Sequence, residues 1–442
     1  MLLEEIAIYG IIILFCAGVV LYYLRSQSKA SKIVEAKIKE AKENGLHEPI
    51  SLHPVIDLNT CIKSGACIEA CPEKDILGIL NGEGVLINAS SCVGHGACFH
   101  ACPVEAISLV IGTSKRGVDL PHVNEDYESN VPGIYIAGEL GGMGLIKNSV
   151  EQGSTAVENM LRDGFRKEMD TTILDLVIVG AGPAGIAASL MAKKHGLRFK
   201  TLEQDTLGGT VFTFPRSKVV MTAPMNLPLY GKIKLYNTSK SELLDLWQDA
   251  LSKNNIQIQE KTKVEAIRPG IGHFVVETLQ GEALKTQKVL LAIGRSGSPR
   301  KLGVAGEMSE KVAYRLLEPE KIINKQVVVV GGGDSAVESA LLLAPQNKVI
   351  LSYRKDKFSR VKPKNREKIL AAIASGAIDM KYNTNLSRID QHEIRLADQQ
   401  GREERYPNDL VYIFAGGELP TQFLKKAGVQ ITKRFGYTMK KY

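Results

Sequence analysis

The sequence predicts an α/β protein: two parallel-sheet units, each opened by a glycine-rich turn, preceded by a small cysteine-rich α+β domain and one apolar N-terminal helix. Three observations predict it. A strand–glycine–helix signature occurs at Leu174 and again at Gln326. Six of the seven cysteines fall between Cys61 and Cys102 in a repeated spacing. No charged residue lies between Ile6 and Leu24. At 442 residues the chain exceeds what one core usually holds, which favours a count near three domains. An apolar content of 44% and a charged content of 24% describe an ordinary folded protein. The net charge of +8 is mild for this length, and no nucleic-acid partner is read from it.

The uncharged run comes first. Nineteen residues at about 1.5 Å each reach about 28 Å, close to a bilayer core. Tyr9, Tyr22 and Tyr23 stand near its ends as interfacial aromatics. Glu4 and Glu5 precede it, where a cleaved signal peptide would carry basic residues. Arg25, Lys29 and Lys32 follow, so the positive-inside rule expects a single-pass anchor in a bacterial inner membrane with the rest of the chain in the cytoplasm. Residues 26–50, rich in Lys, Glu and Ala, read as a helical, solvated stalk stopped by Gly45 and Pro49.

The cysteine region, 51–111, holds two matching blocks. One reads Cys61-x2-Ser64-x2-Cys67-x3-Cys71-Pro72, the other Cys92-x2-His95-x2-Cys98-x3-Cys102-Pro103. This resembles bacterial two-cluster ferredoxins, whose runs are Cys-x2-Cys-x2-Cys-x3-Cys-Pro, with the second cysteine of each block replaced here. The resemblance implies two iron–sulfur clusters, one held by Cys61, Cys67 and Cys102, the other by Cys92, Cys98 and Cys71. Each is 4Fe-4S or 3Fe-4S: the fourth iron is held by His95 or Ser64, or is absent. The alternatives are a relic with no metal and a zinc site, the latter fitting poorly because zinc prefers two close pairs about a tetrahedron.

Leu174–Val179 followed by Gly180-Ala-Gly182-Pro183-Ala184-Gly185 reads as strand, tight turn and helix, with the glycines allowing close approach of a pyrophosphate. Glu203 ends the next expected strand at the spacing that binds a ribose diol. The second fingerprint, Gly331-Gly-Gly333-Asp334-Ser335-Ala336, is followed by a strand ending in Arg354 and Lys355, with Arg360 beyond. Bases there pair with a 2′-phosphate where an acid would repel it, so NADPH is favoured over NADH.

Upstream of both fingerprints, Val131-Pro-Gly-Ile-Tyr-Ile-Ala-Gly138-Glu139 resembles the FAD-closing motif of thioredoxin-reductase-like flavoproteins. In those proteins it ordinarily stands near the carboxy terminus. The resemblance implies two Rossmann-like domains, FAD at the first and NAD(P)H at the second, with the closing segment permuted forward and Glu139 in place of the usual Asp. It places a closing segment at 112–165, an FAD-binding domain at 172–297, an NAD(P)-binding domain at 298–410, crossed at Ala292–Arg295 and Ala415–Pro420, and a return to the FAD domain at 411–442. It also implies a homodimer.

No cysteine follows Cys102, so the cysteine pair of disulfide reductases is not expected, and Thr210 stands where one branch of relatives has a cysteine. The expected function is that of a membrane-anchored NAD(P)H:acceptor oxidoreductase. Electrons pass between nicotinamide, FAD and clusters to or from a partner protein or membrane redox component. Two alternatives remain: a redox sensor, or a flavin-only reductase of a small substrate with structural clusters. No catalytic acid or base stands out.

Overall fold

The computed structural model describes residues 2–49, 52–142, 144–165, 170–214, 219–222, 224–235, 237–295, 298–358, 361–418 and 420–440. The chain divides into two compact units, residues 1–116 with 435–442, and residues 117–434.

The first unit opens with one continuous helix, Leu2–Glu43. Its stretch Ile8–Glu43 is long and apolar enough to cross a membrane, with a best-window mean hydropathy of 2.0 and none of that window buried. The expected helical stalk is helical as far as Glu43, but one of its faces is packed rather than solvated. The helix runs on, and Ser31 and Ala41 are buried with Val34 half-buried between them, a three-to-four-residue stripe that seats the second half of the helix on the cysteine-rich domain. Asn81 N–H donates to Ser31 Oγ at 3.0 Å and Val34 packs over Gly78, so helix formers read as a solvated rod supply one packed face.

The cysteine-rich domain is a repeated strand–turn–helix. His53–Ile56 pairs antiparallel with Ile107–Ile111, and Leu77–Leu80 forms a hairpin with Glu83–Leu86. Each block places a left-handed glycine, Gly65 or Gly96, both at φ 75°, directly before a short helix, Ala66–Glu69 or Ala97–Ala101. Only a residue without Cβ takes that conformation at little cost. The last strand, Tyr437–Lys440, pairs with Ile107–Ile111 in this unit. Residues 411–434 lie in the second unit, so the expected return to the flavin domain stops at Arg434. The alternation of Tyr437–Lys440 completes a three-stranded sheet here instead.

The second unit contains a seven-stranded sheet and a five-stranded one. In the larger, Leu174–Val179 lies parallel between Phe199–Leu202 and Ala283–Leu291. Ile134–Ile136 adds in parallel to the end of Ala283–Leu291, with Ile134 beside Val289 and Ile136 beside Leu291. The segment singled out upstream of the fingerprints is therefore a strand of the same sheet as the first glycine turn. Helix Pro183–Lys194 is buried over nine residues because it is covered twice, by the sheet and by helix Ile146–Arg162. The five-stranded sheet is wholly parallel, with Gln326–Val330 between Leu410–Ile413 and Lys348–Tyr353. Its helix Asp334–Leu343 follows Gly333.

Candidate nucleotide and cluster sites

Each glycine turn is shaped by contacts that leave no room for a side chain. Gly180 has φ +104°, and a Cβ there would lie 2.5 Å from the Ala292 carbonyl oxygen. A Cβ at Gly185 would lie 1.8 Å from the carbonyl oxygen of Gly180, which is how helix and strand come close enough to aim the helix N-terminus at the turn. Gly331 repeats this at φ +145° against the Phe414 carbonyl, and the Tyr353 ring covers Gly332. Gly182 and Gly333, the residues just before each helix, meet nothing within 4 Å and lie open to a ligand.

One cavity of about 1650 Å³ is lined by both turns. Gly138, Glu139, Gly180, Gly182, Pro183, Ala184 and Glu203 line one part of it, and Gly331, Gly333, Asp334, Ser335, Ala336, Arg354 and Lys355 another. Gly185 is behind the lining. Arg360 lies outside the described residues. Two dinucleotides fit such a volume, which exceeds the usual range for one drug-sized ligand of roughly 300–1,000 Å³. The absent Cβ atoms at the turns provide the cradle the pyrophosphates require.

Glu203 is buried, and its carboxylate accepts from Ala181 N–H at 2.7 Å and from Asp205 N–H at 2.9 Å. Burial raises its pKa, opposed by those two amides. An ionised carboxylate has about four acceptor positions, so lone pairs remain for two ribose hydroxyls. Burial likewise raises Glu139, and the Arg295 charge opposes the rise. Asp334 accepts from Lys362 N–H at 3.0 Å and from Asn365 Nδ2 at 2.8 Å, which ties the second helix start to the segment beyond. The crossing segments pair with each other, Ser298 beside Glu418 and Pro299 beside Gly417.

Two residues of this site were not picked out by sequence reasoning. Gln152 Oε1 accepts from Gly138 N–H at 2.8 Å inside the core, holding the 131–139 segment against helix Ile146–Arg162. Gly153, next in that helix, would place a Cβ 2.0 Å from the Ala184 carbonyl oxygen. A glycine inside a helix costs roughly 0.5–1 kcal/mol relative to alanine, and that cost was the available signal for a close approach.

In the first unit Cys61, Cys67, Cys102 and Ser64 line one small pocket floored by Gly65 and Gly84. Cys71, Cys92 and Cys98, the remaining cysteines of the two blocks, do not line that pocket. Burial first, then the neighbouring Cys92 and Cys71, pushes Cys98 up to about 12, and burial, with Cys71 adding and the Gly94 amide opposing, pushes Cys92 up to about 11. Loading a cluster on these thiols releases protons. Cys71 Sγ also meets Glu73 O at 3.1 Å and His95 Nε2 at 4.0 Å. Burial lowers His95, with Glu73 opposing. Among the described residues no three Cys, His, Asp or Glu groups converge as ligands of a single metal ion. Three thiols spread about a pocket suit a polynuclear cluster, and the all-sulfur donor sets fit iron–sulfur chemistry.

Comparison with known proteins agrees with this geometry. The family model described as "Pyridine nucleotide-disulphide oxidoreductase" matches residues 177–440. The chain belongs to this family. A model described as "4Fe-4S dicluster domain" matches residues 53–103, so the two are fused in one polypeptide. The chain is 26% identical over 267 residues to the bacilliredoxin reductase Bdr of Bacillus subtilis (strain 168), spanning 59% of this chain and 82% of that protein. It is 27% identical over 265 residues to a ferredoxin–NADP reductase of Ignicoccus hospitalis, spanning 58% and 82%. Among solved structures, the bacillithiol disulfide reductase Bdr (YpdA) from Bacillus cereus matches with a TM-score of 0.53 at 23% identity, covering 60% of this chain and 85% of that one; this likeness speaks to the fold. The protein is thus an FAD-dependent pyridine nucleotide oxidoreductase bearing a 4Fe-4S domain.

Proposed function

We propose that the protein is a membrane-anchored NAD(P)H:acceptor oxidoreductase that exchanges electrons between nicotinamide and a redox partner through FAD and the clusters. The single observation carrying this reading is the cavity lined by both glycine turns, whose volume of about 1650 Å³ is enough for two dinucleotides. FAD bound there supplies the conversion between hydride transfer and single-electron transfer. Gly180, Gly182, Pro183 and Ala184 cradle its pyrophosphate, Gly185 seats the helix beneath it, and Glu203 accepts from its ribose. Gly138 and Glu139 close its far side, a closing segment permuted to precede the rest of the domain. Gly331, Gly333, Asp334, Ser335 and Ala336 cradle the nicotinamide nucleotide.

The clusters are the outlet in this reading because no cysteine occurs after Cys102, leaving residues 177–440 without a thiol to relay electrons. A ferredoxin-type carrier is the partner class, by analogy with the ferredoxin–NADP reductase relative, and the flow runs in either direction. The N-terminal helix holds the assembly at a bacterial inner membrane. Anaerobic addition of stoichiometric NADPH is expected to bleach the flavin and change the cluster signals in electron paramagnetic resonance. A flavin that stays oxidised with both nicotinamides sinks the proposal, and a bleached flavin with unchanged clusters moves the chemistry to the flavin alone.

Arg354 and Lys355 are exposed at the end of strand Lys348–Tyr353, on the cavity wall, where a 2′-phosphate would sit. Losing a charged hydrogen bond costs about 1.5–3 kcal/mol, or roughly 10–100-fold. Arg354→Ala with Lys355→Ala is expected to raise KM for NADPH by that factor and leave NADH nearly unchanged. An equal loss for both cofactors would remove the phosphate role.

A further inference from the structure

Ser64 and His95 stand where each cysteine block departs from the four-cysteine pattern, and the structure gives them a common local job. Ser64 Oγ faces Ala66 N–H at 3.5 Å, and His95 Nδ1 accepts from Ala97 N–H at 3.1 Å. Each side chain turns back to the first amide of the short helix after its left-handed glycine. For His95 this has a chemical consequence. A ring nitrogen that accepts an N–H carries no proton, so in the neutral ring the proton is on Nε2. Nε2 is the atom facing Cys71 Sγ, at 4.0 Å. To bind iron, the same nitrogen would have to present a lone pair, which requires the proton on Nδ1 and leaves the Ala97 amide without its acceptor.

Resting on the reading that Cys71, Cys92 and Cys98 hold a cluster, we propose that His95 is not an iron ligand but a positioning residue that donates its Nε2–H to the Cys71 thiolate. That cluster then has three protein ligands and either lacks its fourth iron or keeps it open to an exogenous ligand. A donor to a ligating sulfur favours the more negative, reduced cluster and so raises its midpoint potential.

The test uses full-length protein carrying 15N-histidine, with iron and sulfide analysis, electron–nuclear double resonance and a redox titration of this cluster. Only weak nitrogen coupling is expected. His95→Leu keeps the wild-type iron content and flavin while the midpoint potential falls. His95→Gln, whose amide retains an N–H, recovers much of the potential. His95→Cys supplies a fourth thiolate and gains a four-iron signature. Strong coupling to a histidine nitrogen, or iron loss from His95→Leu with flavin retained, overturns the inference. So does a potential in His95→Gln no different from that in His95→Leu. A wild-type protein that assembles no cluster fails both the functional reading and this inference, whereas strong nitrogen coupling in a loaded protein fails this one alone.

Discussion

Gly153→Val is expected to yield protein with little or no bound FAD and a sharply lower Tm. Helix Ile146–Arg162 lies against helix Pro183–Lys194 with no spare space at this position. Even a methyl group would sit 2.0 Å from the Ala184 carbonyl oxygen, and that oxygen is backbone at the first turn of the dinucleotide-facing helix. Rotating a side chain cannot relieve the overlap, so the helices must part. Overpacking typically costs about 1–3 kcal/mol and occasionally more, and the fixed backbone puts this variant at the upper end. Separating the helices also pulls on Gln152, whose side chain holds Gly138 at 2.8 Å. Flavin should therefore be lost along with stability. Ser154→Ala, one residue on, removes a buried hydroxyl that has no hydrogen-bond partner among the described residues and should leave Tm and flavin content unchanged or slightly improved. Thermal unfolding and flavin stoichiometry of the two variants decide the matter. A Gly153→Val protein with full flavin and wild-type Tm would mean that the 112–165 segment is not a working part of the flavin domain.

That segment shows how far local pattern carries. Both glycine turns were legible because their constraint is local: a tight turn without Cβ between a β-rich run and an Ala-rich helix leaves few other readings. The sheet position of Ile134–Ile136 was legible only through resemblance. Three apolar residues announce a strand, but nothing in them says that Val289–Leu291, more than 150 residues later, is the parallel neighbour. The same limit explains the last strand. Tyr437–Lys440 looks like a continuation of the domain before it, and its pairing with Ile107–Ile111 is a long-range choice that alternation does not encode. The packed face of the stalk was hidden for another reason. Lysine and glutamate on three sides of a helix dominate its composition, while the packed side is made of Ser31, Val34 and Ala41, residues too small to stand out as an apolar stripe.

Within the cysteine blocks, chain order and spatial grouping differ, and this gives the second large effect. The pocket lined by Cys61 and Cys67 from the first block is completed by Cys102 from the second. Cys71, although only four residues after Cys67, has its Sγ 4.0 Å from His95 Nε2 of the second block and is not among the residues lining that pocket. The fold achieves this exchange because the two strand–turn–helix repeats pack about each other, so the last cysteine of each block leaves the pocket begun by its own. Cys102→Ala is therefore expected to eliminate the cluster of the first block, sparing the one that the second block otherwise builds. Cys71→Ala should do the converse. Each variant should lose close to half of the iron and sulfide, since removing one of three protein thiolates leaves too few to hold a cluster. Both should keep the flavin, because the cavity proposed to hold it is lined only by residues within 117–434. Paramagnetic resonance distinguishes the two survivors: the signal remaining in Cys102→Ala should respond to His95 substitutions, and the one remaining in Cys71→Ala should not. If Cys102→Ala and Cys98→Ala erased the same signal, the thiolates would be grouped by block, and the crossed assembly expected here would be wrong.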